Sequence, residues 1–380
     1  MKNKYAYQIV KDSKPKNNYL GAIVGCGRMG STIDDEHIGM SHYPWPWAHA
    51  PAMIEASGVK LVAGVDVDKN KLSEFGKRWE ITSLYSDIQE MVEKENPDIV
   101  SVTTGPKERA EVIRTLAKLG VKAIFATKPL CSSLSEADEI VDVCNKYGTL
   151  LSIACHLNWY APYTAARELI ASGEIGELRS IVCNTPSTLS NIGSHTLALA
   201  RLFVDSPAKW VFGDMDNEDQ VISGKDLSGS GYIVYENGVR CILNSHVPKG
   251  TWSIEFLCEK GRILSKSHHA QFELWTQDVS VNDRHDRSIS NEVQKMFPYP
   301  WRPRSSMVDA IEGVAKVLDD SDYPDLCPGE YGREALEIAV ALRESYKLDG
   351  QKIKLPLYDR SLSIEPVSYT HLTLPTIYSV

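Results

Sequence analysis

The chain has 380 residues, is 43% hydrophobic, and carries a formal net charge of −9 at pH 7 with a sequence pI near 5.6. That length allows two or three domains with ample core, and the acidic balance argues against nucleic acid or an anionic membrane as partner. There is no apolar run of the roughly 18 residues that a membrane span needs, and the eight cysteines lie far apart with no C-x-x-C or Cys/His ligand spacing. The expectations are no membrane span, no metal site, no disulfide framework and a reducing, cytoplasmic setting.

Residues 1–18 are polar and lysine-rich and read as an arm rather than a secretory signal. Tyr19 to Val24 is a short apolar run that feeds into Gly25-Cys26-Gly27-Arg28-Met29-Gly30. The spacing G-x-G-x-x-G gives each glycine a task. Gly25 allows the tight turn off a strand, Gly27 lets backbone approach a pyrophosphate, and Gly30 lets a following element pack close. Lys60 to Val65 reads as the next strand and ends in Asp66, whose carboxylate can accept hydrogen bonds from an adenosine ribose. Val67 and Asp68 follow with no base to meet a 2′-phosphate, so NAD is favoured over NADP.

Between these two signals the chain is unusual. Ser31 to Trp47 reads as loop, with Pro44, Pro46 and the aromatics Tyr43, Trp45 and Trp47, and a helix resumes near His49 to Ala56. This stretch suits a lid over ligand, an oligomer contact or a surface loop over its own domain. Helices are predicted at Lys69–Trp79 and Ile88–Lys94 around a short strand near Leu84. A fourth strand runs from Asp98 to Thr104, and its end brings Thr103 and Thr104 toward the same crevice. A helix over Lys107–Leu119, a strand over Val121–Ala126, a helix over Ser135–Tyr147 and a strand over Leu150–Ala154 complete a nucleotide-binding domain, 19–155. Six strands alternating with helices imply a doubly wound parallel sheet.

From Tyr163 the pattern changes. A helix at Thr164–Ser172 is followed by strands at Leu178–Cys183, Trp210–Met215, Tyr232–Tyr235, Arg240–Asn244, Ile254–Leu257 and Phe272–Trp275, interrupted by one helix near Thr196–Phe203. Two helices, Met307–Leu318 and Tyr331–Lys347, close an α+β domain, 156–350, with a mostly antiparallel sheet and helices on one face. Its open face calls for a cover, hence a homodimer or homotetramer. Residues 351–366 are expected to return as a strand, Lys354–Leu357, near the nucleotide domain. The tail 367–380 resembles a translated sequencing-adapter read-through and is left out of the fold; on that reading the native C-terminus is missing or lies near Pro366.

Two stretches are expected to meet at the cleft between the domains. Thr127-Lys128-Pro129 sits at the carboxyl end of a strand, where open α/β sheets bind ligands. A lysine there, desolvated and near an oxidised nicotinamide, is lowered toward a usable general base; Lys128 therefore joins both the catalytic and the cofactor sets, and Pro129 the cofactor set. Asn191-Ile-Gly193-Ser-His195 opens a helix of the second domain. His195 can relay a proton with a substrate hydroxyl and Asn191 can hydrogen-bond the same substrate, although a lone histidine also serves as a structural residue.

Together these stretches resemble the glucose–fructose oxidoreductase/inositol dehydrogenase (Gfo/Idh/MocA) family over about Tyr19 to Leu357. Gly25–Gly30 matches its fingerprint, Ala126-Thr-Lys128-Pro129 its Glu-Lys-Pro motif, Ile170–Glu177 its helix-to-strand segment, and Asn191–His195 its Asp-x-Gly-x-His motif. The resemblance implies hydride transfer between a nicotinamide and a carbinol carbon of a sugar, polyol or inositol. It also implies Lys128 and His195 as catalytic and a dimer or tetramer. Thr127 stands in place of Glu, Asn191 and Ala198 in place of Asp, and Trp159 where Arg is common. Two rivals stay open: a glycosidase of the same family that uses bound NAD for transient oxidation, and a NAD-binding regulator without catalysis.

Overall fold

Six short apolar runs of the N-terminal part pair into one parallel sheet. They are β1 (Tyr19–Val24), β2 (Val59–Val65), β3 (Ser83–Tyr85), β4 (Ile99–Val102), β5 (Ala123–Ala126) and β6 (Leu150–Ile153), in the order β3-β2-β1-β4-β5-β6. The structure is a computed structural model that describes residues 14–38, 44–248, 250–278, 291–299 and 304–365. Tyr43, the arm up to residue 13 and the adapter-like tail lie outside the described residues. All residues of β4 and β5 are buried, as expected of strands covered on both faces.

Local chemistry sets the helix starts in this unit. Asp68 caps α2 (Lys69–Trp79) and Asp87 caps α3 (Ile88–Glu95), while Pro106 fills the first turn of α4 (Pro106–Lys118). Ser133 and Glu136 close a capping box on α5 (Leu134–Tyr147). The preceding α1 (His49–Glu55) follows the aromatic segment. That segment is less of a loop than its prolines suggest. Arg28–Thr32 and Ile33–His37 are helical turns, tied down by the ion pairs Arg28–Glu36 and Arg78–Asp35, each 2.6 Å. Strand order reverses between β1 and β4, so a crevice opens at their carboxyl ends, where Gly25, Thr103 and Thr104 leave the sheet.

The second unit holds a sheet of nine strands among the described residues, ordered β14-β13-β12-β11-β7-β10-β9-β8-β15. These are β7 (Leu178–Asn184), β8 (Ala208–Met215), β9 (Gly229–Tyr235), β10 (Arg240–Asn244), β11 (Ser253–Cys258), β12 (Gly261–Lys266), β13 (Gln271–Asp278), β14 (Asn291–Lys295) and β15 (Ile353–Lys354). Neighbours are antiparallel except β10 and β7. The helices of this unit are α6 (Ala161–Ser172), α7 (Gly193–Val204), α8 (Glu218–Ser223), α9 (Ser306–Asp319) and α10 (Gly329–Lys347). The fold is thus a doubly wound parallel sheet joined to a mostly antiparallel sheet with helices, as the sequence implies.

Three elements escape the sequence pattern for identifiable reasons. β12 buries Gly261, Ile263 and Ser265, a face with one large apolar side chain. β14 is a polar edge strand, and α8 is a six-residue helix started by the Asn217 cap, so the α7 helix is not the lone interruption of the strands. The closing strand is corrected as well: Ile353 and Lys354 pair with Val211 and Trp210 of the second sheet. The return to the first sheet comes a few residues later. The backbone of Arg360, Leu362 and Ile364 bonds to the start of α5, and Arg360 pairs with Asp138 at 2.7 Å.

Candidate active site

The glycine turn is built tightly. Gly25 has φ +97°, and a Cβ there lies 2.9 Å from both Thr103 Oγ1 and Thr104 N. A Cβ at Gly30 lies 2.1 Å from Gly25 O. Gly27 differs, because its Cβ meets nothing nearer than Lys71 Cδ at 3.8 Å. Protein therefore leaves open the space beside Gly27 that a pyrophosphate needs, and the residues present fit a dinucleotide. Thr103 Oγ1 donates to Gly25 O and Val24 O, and so props the turn from below. Asp66 closes it from the side: its Oδ2 accepts from Cys26 N at 2.8 Å and its Oδ1 from Asp68 N at 2.9 Å. The Cys26 thiol is buried, donates to Val65 O at 3.5 Å, and is pushed up to about 12 by desolvation.

Lys71 is a residue that sequence reasoning passed over. It lies over Gly27 and within 3.7 Å of Asp68, close enough to the turn to meet a phosphate. Arg28, held by Glu36, lies near enough for its charge to add to the lowering of Lys128 by burial.

Lys128 stands directly after β5, with a cis peptide bond to Pro129. Its Nζ donates to Asn191 Oδ1 at 2.9 Å, so the two predicted stretches do meet across the two sheets. Burial lowers the ammonium to about 8, and the nearby Arg109 and Arg28 add to the fall while Cys155 and Asp226 oppose it. His195, in the first turn of α7, lies within the field of the same lysine; burial first, then Lys128 and His156, hold it well below the usual histidine range. Its Nδ1 is buried without a hydrogen-bond partner.

Other residues join this group without having been picked from the sequence. His156 stacks edge-on against His195 with ring centroids 5.0 Å apart, and its Nδ1 bonds with Ser306 Oγ at 2.8 Å. Burial and Lys128 bring His156 to about 4. Asp226 accepts from Ser190 N and Asn191 N, each at 2.8 Å. Arg109, buried in α4, donates to Pro129 O and Thr104 O, and so braces the two loops that flank the crevice. A signal for Arg109 existed: it shares the apolar stripe of Ile113 and Leu116, where a charge is out of place.

The altered positions resolve individually. Thr127 is buried and donates to Val102 O at 3.2 Å, so it faces back into β4. Trp159 is buried, packs edge-on against Phe125 with centroids 6.2 Å apart, and is core rather than site. Ala198 is buried within α7. Trp45 and Trp47 stack with centroids 5.0 Å apart, and Pro46 O accepts from Ser305 Oγ, so this segment is fastened to α9.

Residues 21–155 match the family model described as oxidoreductase family, NAD-binding Rossmann fold (Gfo/Idh/MocA). That match covers the first unit of the chain, whose residues 21–155 carry the NAD-binding Rossmann domain of this oxidoreductase family. Among curated relatives, a D-apiose dehydrogenase of Paraburkholderia graminis is 23% identical over 250 residues, covering 60% of each chain. A myo-inositol 2-dehydrogenase of Thermotoga maritima is 21% identical over 353 residues, covering 88% of this chain and 97% of the relative. Among solved structures, an inositol dehydrogenase homologue of Azotobacter vinelandii complexed with NADH and myo-inositol superposes with a TM-score of 0.70 at 16% identity, over 90% of this chain and 99% of the other. That likeness is one of fold and runs through both sheets of this chain. No helix among the described residues is long and apolar enough to cross a membrane.

Proposed function

We propose that this chain is a NAD-dependent oxidoreductase of the Gfo/Idh/MocA family acting on a secondary alcohol or ketone of a sugar, inositol or related polyol. The observation that carries the reading is Lys128: a lysine lowered to about 8, set at the crevice end of β5 and held through Nζ by Asn191 of the second unit. Gly25, Cys26, Gly27, Arg28, Met29, Gly30, Asp66, Thr103, Thr104 and Pro129 form the wall that would hold the dinucleotide, with Lys71 beside it. Asp66 at the end of β2 favours NAD over NADP. When bound, NAD supplies the acceptor for a hydride leaving the carbinol carbon.

The chain supplies the rest. Neutral Lys128 accepts the hydroxyl proton at Nζ as the C–H bond breaks, and the carbonyl oxygen of the product remains beside the ammonium just formed. Neutral His195 shares a hydrogen bond with the same oxygen, and His156 supports its ring from the side. Asn191 orients Nζ, so that proton transfer begins from one fixed geometry. The open face of the second sheet, with Phe212 and Ile242 exposed, supports a homodimer or homotetramer.

A panel of sugars, inositols and their keto forms, assayed for NADH and NADPH formation or consumption, tests the reading. Steady NADH accumulation with a polyol is expected. Tightly retained NAD without net NADH points instead to transient oxidation in a glycosidase, and NAD binding without turnover to a regulator.

A further inference from the structure

The loop before β9 reaches back under the Asn191 segment. Asp226, 3% exposed, is fixed there by its own backbone, with its N–H donating to Glu365 O at 2.8 Å. Its two carboxylate oxygens divide between two successive donors, Oδ1 taking Ser190 N and Oδ2 taking Asn191 N, both at 2.8 Å. Two bonds onto successive peptide units fix both the position and the tilt of the backbone there. The side chain that this clamp orients is Asn191, whose Oδ1 lies 2.9 Å from Lys128 Nζ.

We infer that Asp226 is a positioning residue for Lys128: it clamps the 190–191 backbone so that the Asn191 carboxamide meets Nζ, and it sets a carboxylate charge behind that contact. The inference rests on the reading of Lys128 as the proton acceptor. Asn191 is neutral, so it orients the amine without adding charge. Asp226 adds the charge without touching Nζ in any hydrogen bond described for it. The groups that face Lys128 from the surrounding elements are Arg28 from the glycine turn, Arg109 from α4, Cys155 and His156 after β6, His195 from α7, and Asp226. The two arginines and burial lower the lysine, and Asp226 opposes them. Asp226 thus keeps the amine from becoming too weak a base while the rest of the site strips it of water. Lys128 in turn favours the ionised form of Asp226, together with the two backbone donors, against the burial that raises it.

The test follows the acid–base midpoint of Lys128 in the full-length protein, read by pulsed acetic anhydride labelling across pH and peptide mass spectrometry. NADH formation across pH is followed in parallel. In Asp226→Asn the labelling midpoint is expected to fall by about half a unit or more, and the acid limb of the rate profile to move down with it. In Asn191→Asp the midpoint rises, because a carboxylate then touches Nζ. The double variant Asn191→Asp/Asp226→Asn is expected to have a midpoint about half a unit or more below that of Asn191→Asp, and serves where Asp226→Asn alone does not fold. An unchanged midpoint in the folded Asp226→Asn variant or, failing that, a double-variant midpoint equal to that of Asn191→Asp overturns the inference. Full activity in Lys128→Ala overturns the functional reading instead, and leaves the labelling arms to decide the role of Asp226 by themselves.

Discussion

Lys128 Nζ and Asn191 Oδ1, 63 positions apart in sequence, lie 2.9 Å from each other and join the two sheets at one hydrogen bond. The lysine comes from a strand end of the parallel sheet and the amide from the segment that opens α7. Neither unit alone makes the site. Burial lowers the lysine to about 8, and the amide of the second unit fixes the direction of Nζ.

The glycine turn separates folding from binding. Gly27→Ala meets no protein atom closer than 3.8 Å, so stability is expected to stay within about 0.5 kcal/mol of wild type. The added methyl fills the phosphate space, and NAD affinity is expected to fall about tenfold or more. Gly30→Ala puts a methyl 2.1 Å from Gly25 O, and a loss of about 2 kcal/mol or more is expected from that backbone clash. Thermal melting and NAD titration on the two variants check both halves.

Lys128 lowers stability at neutral pH. Its folded value of about 8 lies below the ordinary lysine value of about 10.4, so the unfolded chain binds more protons between them and stability rises with pH across that window. Lys128→Met is therefore expected to melt higher than wild type at pH 7, with the gap closing toward pH 10. A gap that is constant with pH would count against a desolvated amine.

Much of the first unit could be read from the chain because each strand is a continuous apolar run and each helix carries its own start signal, such as Asp68 before α2 or Ser133 before α5. Gly25–Gly30, Asp66 and Lys128 were visible for the same local reason. Asp226 was not, since its partners lie 35 and 36 positions away and nothing in Lys225-Asp226-Leu227 announces a clamp. His156 likewise looks like one polar residue after a strand until α7 folds against it. The last strand was misplaced because Ile353–Lys354 has two residues of pairing and no pattern to show which sheet they join.

Buried histidines set the acid limit of the fold. Burial lowers His49 to about 3, His156 to about 4 and His269 to about 3. Unfolded, each takes up a proton near pH 6.5, so the stability they allow is complete above that value and is lost as pH falls toward 4. His49, with both ring nitrogens unpartnered, is the cleanest probe. His49→Leu should flatten the fall in melting temperature between pH 6.5 and 4; an unchanged slope would show that His49 is not a buried neutral ring.

The second sheet presents Trp210, Phe212 and Tyr232 as a stacked row, with centroids 6.0 and 5.2 Å apart along it. Phe212, Tyr232 and Ile242 also line a depression of about 1050 Å³ that shares no residue with the Lys128 group. Phe212→Lys should lower the molecular mass in sedimentation if a second copy covers this face, with NAD binding unchanged. A wild-type monomer would refute the assembly.

The most direct measurement is the initial rate of NADH formation by wild type and Lys128→Ala on whichever sugar or inositol turns over, with NAD affinity measured beside it. The account predicts a loss of roughly two powers of ten or more in the variant, with NAD still bound. A variant that turns over at the wild-type rate would contradict it, because the hydroxyl proton would then be leaving to a group other than Lys128.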